Sequence, residues 1–152
     1  MATLTKGFVK ESEKVHREHY ILTEELHAMD LALDHLQPEV EDLSNLMAAK
    51  QVQMYVRQLA DELPDHFQRE EREILSTVAD VSPELDFFAR EMKRQHVDLK
   101  DRLEKLNQAI RELEKAQDLH SAVENVREQG KAFTKQMTQH ISAEEQELSG
   151  FL

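Results

Sequence analysis

Apolar residues return every three or four positions along four stretches of the chain, the spacing that places them on one face of an α-helix. The first stripe runs Val15, His19, Leu22, Leu26, Met29, Leu33, Leu36 and stops before Pro38 in "HLQPE", because the residue ahead of a proline is pushed out of helical geometry. The second is Val52, Val56, Leu59, Leu63, His66, Glu70, Ile74. Pro64 falls inside it, and since an interior proline removes a backbone hydrogen bond, a bend is expected just before His66. The third opens at "SPEL", with Ser82 placed to cap and Pro83 at the first helical position, and carries Leu85, Phe88, Met92, His96, Leu99, Leu103, Leu106, Ile110 and Leu113. After a polar connection near "KAQDLHS", the fourth carries Val123, Val126, Gly130, Phe133, Met137, His140, Glu144 and Leu148. Short connections make successive helices antiparallel, so the expected fold is all-α, an up-down-up-down antiparallel four-helix bundle.

Composition agrees with this and narrows the function. Only 5% of residues are aromatic and Gly and Pro number three each, a mix that favours helix over sheet. The length of 152 residues fits one domain over residues 1–152, with a flexible arm over about residues 1–10. A net charge of −12 repels phosphate backbones and anionic lipid, and no basic cluster offsets it, so no nucleic-acid or membrane partner is expected. The absence of cysteine excludes disulfides, thiolate metal sites and thiol catalysis. The opening "MATLTKGFVKESEK" has no apolar core of a leader and no apolar run is long enough to span a bilayer; a cytoplasmic location is the expectation.

The chemistry lies where the stripes are interrupted. Each stripe contains one histidine, namely His19, His66, His96 and His140, and two of these have a glutamate one turn later, Glu70 and Glu144. His19 and His96 fall about 9 to 12 residues into their helices and His66 and His140 about 8 to 11 before the ends of theirs, so at ~1.5 Å per residue antiparallel packing brings all four to one level. Other histidine–acid pairs are set apart by their surroundings. His120 and Glu124 continue into Arg127 and Lys131, a solvated face, and Pro38 splits His35 from Glu39. His16 and His27 lie off the first stripe and read as surface residues.

A buried carboxylate without a partner costs several kcal/mol or is neutralised, and no lysine or arginine lies on these stripes. Two divalent ions, taking the imidazoles as ligands and sharing both glutamates as bridges, would satisfy all six groups. His66 with Glu70, and His140 with Glu144, can each reach one centre from a single helix face. Nitrogen and oxygen donors without sulfur suit Fe, Mn or Zn. The ferritin-like pattern needs Glu-x-x-His on two helices, and here that spacing occurs only as Glu13–His16 and Glu24–His27, both in the first. The rival reading is a structural bundle whose buried histidines bind no metal.

Taken together, "REHYILTEEL", "LPDHFQREEREIL", "RQHVDLKDRLEKL" and "TQHISAEEQEL" resemble the hemerythrin-like (HHE cation-binding) family over about residues 12 to 148. The resemblance implies a non-haem centre of two iron ions, with His19, His66, His96 and His140 as nitrogen ligands and Glu70 and Glu144 as bridges. It also implies an oxo or hydroxo bridge and an open iron position for dioxygen, peroxide or nitric oxide. The implied partners are that small gas or peroxide ligand and, for redox turnover, an external electron donor. The chain departs from the oxygen-carrying members. Lys100 stands one turn after His96, where they have a second histidine, and Glu144 and Glu145 stand where they have an aspartate five residues after the last histidine. The implied role is therefore oxygen or redox sensing or binding, with peroxide or nitric oxide detoxification, or repair of iron centres, as the alternative. Glu71 and Glu145 are further candidates for the lost ligand.

Overall fold

The computed structural model describes residues 6–38 and 43–149. Helix α1 spans Lys6–Asp34 and α2 spans Leu43–Arg69. A six-residue π-helical segment, Glu70–Leu75, and a short helix α3, Ser76–Ala79, then prolong α2 into one rod. The return pair is α4, Pro83–Lys115, and α5, Leu119–Leu148. These rods pack antiparallel as an all-helical four-helix bundle, α1 against α2 and α5, and α4 against α5 and α2. No described helix is long and apolar enough to cross a membrane.

Local signals set the boundaries. Ser82 accepts a hydrogen bond from the Leu85 amide at 3.1 Å and Pro83 begins α4, as the sequence leads one to expect. Asp118 caps α5 through the Ser121 amide at 3.3 Å. His120, on the exposed surface, lies 3.0 Å from the Pro38 carbonyl oxygen and joins the start of α5 to the end of the α1 turn. Helix α2 runs through Pro64 without ending, and the change in winding comes at Glu70, six residues beyond the proline. Residues 6–10, assigned to an arm on sequence grounds, belong to α1, and Phe8 among them is buried. Residues 1–5, together with Glu39, lie outside the described residues.

Two apolar clusters occupy the interior. The larger includes Leu22, Leu26, Met29, Leu33, Leu63, Phe67, Leu99, Leu103, Met137 and Ile141. The smaller gathers Phe8, Val15, Ile74, Leu75, Val78, Ala89, Met92 and Leu148. In every rod the stripe histidine falls between residues of the first cluster and residues of the second, so the polar level is closed off along the bundle axis by dry packing on both sides. Gly130 belongs to the larger cluster's side. A Cβ there would lie 2.5 Å from a Leu33 methyl carbon, so this glycine permits close approach of α5 to α1.

Candidate metal centre

His19, His66, Glu70, His96, His140 and Glu144 are all buried, and Glu70 and Glu144 are both 0% exposed. Helix α1 supplies His19, the α2 rod supplies His66 and Glu70, α4 supplies His96, and α5 supplies His140 and Glu144. Donor atoms of Glu70, His96, His140 and Glu144 all lie within 4.8 Å of one another, and so do those of His19, His66 and Glu70. The structure thus brings together the six residues singled out by their stripe positions, as two buried His/Glu clusters sharing Glu70.

The arrangement of the carboxylate oxygens is more informative than their proximity. Glu70 Oε1 faces Nε2 of His19 at 3.4 Å and is in contact with Nε2 of His66, while its Oε2 is 3.6 Å from Nε2 of His96. Glu144 does the reverse. Its Oε1 touches Nε2 of His140 and lies 3.5 Å from Nε2 of His96, and its Oε2 is 3.6 Å from Nε2 of His19. Each carboxylate therefore spans two imidazole pairs. Across the second pair, Nε2 of His96 and Nε2 of His140 face one another at 3.1 Å.

The residues present fit a pair of cations. Glu70 Oε2 and Glu144 Oε2 are buried with no hydrogen-bond partner. Buried polar atoms are normally paired, and unpaired ones carry a desolvation cost of ~1–3 kcal/mol each, more when charged. Imidazole nitrogens and carboxylate oxygens are also the donors a first-row divalent ion prefers when sulfur is absent.

The outer nitrogens of the histidines have partners of their own. His19 Nδ1 is 2.6 Å from Glu145 Oε1, and the other oxygen of Glu145 is 2.7 Å from Nδ1 of the exposed His16. His66 Nδ1 is 2.8 Å from Glu18 Oε2, whose second oxygen accepts from Arg69. His140 Nδ1 is 2.8 Å from Gln95 Oε1. Glu145 thus lies behind His19, and Glu71 Oε1 lies 3.6 Å from the outer nitrogen of His96; both face ring nitrogens other than the converging Nε2 atoms. Glu18 and Gln95 carry no sequence signal of their own, because each precedes a stripe histidine yet contacts the histidine of another rod. Phe67, also absent from the stripe, stacks on His96 with ring centroids 4.0 Å apart and planes 12° apart.

Charge in this pocket is tightly coupled. Burial disfavours the imidazolium of His96, but the facing carboxylates of Glu144 and Glu70 outweigh it and push the group up to about 9 from 6.5. Burial likewise opposes the charge of Glu70, yet the adjoining Glu144 carboxyl and the imidazoles of His19, His66 and His96 hold it well below the usual carboxylate range. A histidine raised in the folded state contributes stability that is complete below 6.5 and is lost as pH rises through about 9. The same proton competes with a metal ion for the imidazole. Metal affinity of the metal-free protein should therefore climb with pH across that window, by up to about tenfold per unit for one displaced proton. Competition titrations with a chelator of known affinity at several pH values check this, and a flat profile from pH 6.5 to 9 would contradict the raised His96.

A helical bundle enclosing paired histidine and glutamate donors in a dry interior is a cation-binding bundle. The chain belongs to the hemerythrin family: the model of the hemerythrin HHE cation binding domain matches residues 11–152. No curated protein and no solved structure matches it. The two buried clusters are consistent with a binuclear metal site in such a domain.

Proposed function

We propose that this protein holds two iron ions in the buried pocket and binds a small oxidant, dioxygen, peroxide or nitric oxide, for oxygen or redox sensing or binding. The observation that carries the reading is the placement of Glu70 and Glu144, each with its two oxygens facing imidazoles of different pairs. One carboxylate turned toward two donor sets is the geometry of a bridge between two ions.

His19 and His66 would hold one ion and His96 and His140 the other, with Glu70 and Glu144 shared between them. Iron in this donor set would supply reversible electron transfer to a small ligand. The residues of the chain fix both ions, neutralise their charge and, through the apolar clusters, keep bulk water away. Lys100, one turn after His96, is exposed and adds no nitrogen to the second ion. An ion there would have four protein donors, fewer than the six of an octahedral iron, and could take an exogenous ligand; turnover would need an external electron donor.

Metal analysis and an optical spectrum of protein made in iron-replete cells test the reading. About two irons per chain are expected, with both iron content and visible absorption reduced in His66→Ala, which removes one of the two imidazole donors at its position. Unchanged iron and absorption in that variant would refute the ligand assignment. Stoichiometric, reversible oxygen uptake would favour sensing or binding, whereas catalytic loss of peroxide or nitric oxide would favour detoxification.

A further inference from the structure

We propose that Glu18 is a positioning residue for the centre and that, with Glu145, it makes the His19/His66 half chemically unequal to the His96/His140 half. The proposal rests on the dinuclear reading given above. What lies behind the imidazoles differs between the two halves. His66 is backed by a carboxylate, Glu18 at 2.8 Å, and His19 by another, Glu145 at 2.6 Å. His140 is backed by a neutral amide, Gln95 at 2.8 Å, and Nδ1 of His96 has no hydrogen-bond partner, the Glu71 carboxylate standing off at 3.6 Å.

A hydrogen bond accepted from Nδ1–H fixes the tautomer and leaves the Nε2 lone pair pointing inward. When the acceptor is anionic it also raises the basicity of the ring, and so strengthens its hold on a cation, more than an amide does. Glu18 is itself held in place. One oxygen meets His66 and the other accepts from Arg69, so a carboxylate on α1 is clamped by two side chains of α2, three residues apart. Glu70 and Glu144 each face imidazoles of both halves, so the difference between the halves lies behind the imidazoles. The backing carboxylates strengthen the His19/His66 position, which depends on them for its affinity.

Titration of the full-length metal-free protein with cobalt(II) alone, followed by visible absorption, tests this. The unmodified protein should take up two equivalents. Glu18→Ala should keep one equivalent at unaltered affinity and bind the other roughly 10–100-fold more weakly. Glu18→Gln, which preserves shape and an acceptor oxygen but not charge, should fall between them and alter the cobalt bands of one position only. Helical circular dichroism and the unfolding midpoint of each metal-free variant establish that the bundle is intact, and Glu18→Gln carries the test where Glu18→Ala does not fold. Two equivalents bound by these variants at unaltered affinity, or equal weakening of both, would overturn the proposal while leaving the centre intact. No cobalt uptake by the unmodified protein would overturn the centre and this proposal with it.

Discussion

Replacing both buried glutamates, Glu70→Gln with Glu144→Gln, is expected to abolish the stabilisation that metal gives this protein while leaving a folded metal-free bundle. The two side chains are wholly buried and their oxygens are the groups that reach both imidazole pairs. Glutamine preserves their shape but removes both anionic donors, so neither ion position retains a charge to balance it. In the unmodified protein, metal at about a thousand times its dissociation constant adds roughly 4 kcal/mol per ion to stability. For a domain of this size each kcal/mol moves the midpoint by about 2–4 °C, so a single ion should raise it by roughly 8–16 °C, and a chelator should reverse the shift. The double variant should show no such shift. Its metal-free form should be somewhat less stable at neutral pH than the unmodified metal-free protein, because removing the carboxylates forfeits the charge pairing that raises His96, and the difference should shrink as pH rises through about 9. Thermal unfolding with metal and with chelator decides the matter. A variant that keeps the metal-dependent rise would show that these carboxylates are not ligands.

The trade between stability and binding explains how the centre could be seen in the sequence. An apolar stripe has a physical reason to reject imidazole and carboxylate, so His66 with Glu70 and His140 with Glu144 stand out against Leu63 and Ile74, or Met137 and Leu148, on the same faces. Helical period gave each rod its buried face, and antiparallel packing gave the common level. What the period could not give was any feature depending on the distance between rods. Glu18 reaches His66 and Gln95 reaches His140 across helix boundaries, and either residue, taken alone, is one more polar side chain next to a histidine. The π segment Glu70–Leu75 was hidden for a different reason: its wider winding begins at Glu70, so steps of three and four still pass through Glu70 and Ile74 without marking the change. Phe67 was missed because it follows His66 directly, and the stripe at that point is wide enough to bury neighbours on either side of its centre line.

Phe67→Ala is expected to have the largest effect on stability, a loss of about 3–5 kcal/mol, since the ring is fully buried and its removal leaves a cavity where the larger cluster meets the histidines. Against a total of about 5–15 kcal/mol for a typical domain, that would bring the metal-free protein close to unfolding. The ring also has a task toward the site. It lies flat on His96 at 4.0 Å and meets the rings of His66 and His140 at 5.9 Å each. His96 is the candidate ligand whose outer nitrogen lacks a hydrogen bond, so its plane is held by this stack rather than by an acceptor. Phe67→Leu separates the two roles. Leucine refills most of the apolar volume but offers no flat face, so the stability loss should be much smaller than for alanine while metal affinity still falls. Denaturant unfolding of the metal-free variants gives the first quantity and cobalt titration the second. If Phe67→Leu binds cobalt as tightly as the unmodified protein, backbone position and the carboxylates alone aim His96, and the stacked ring serves only to fill space.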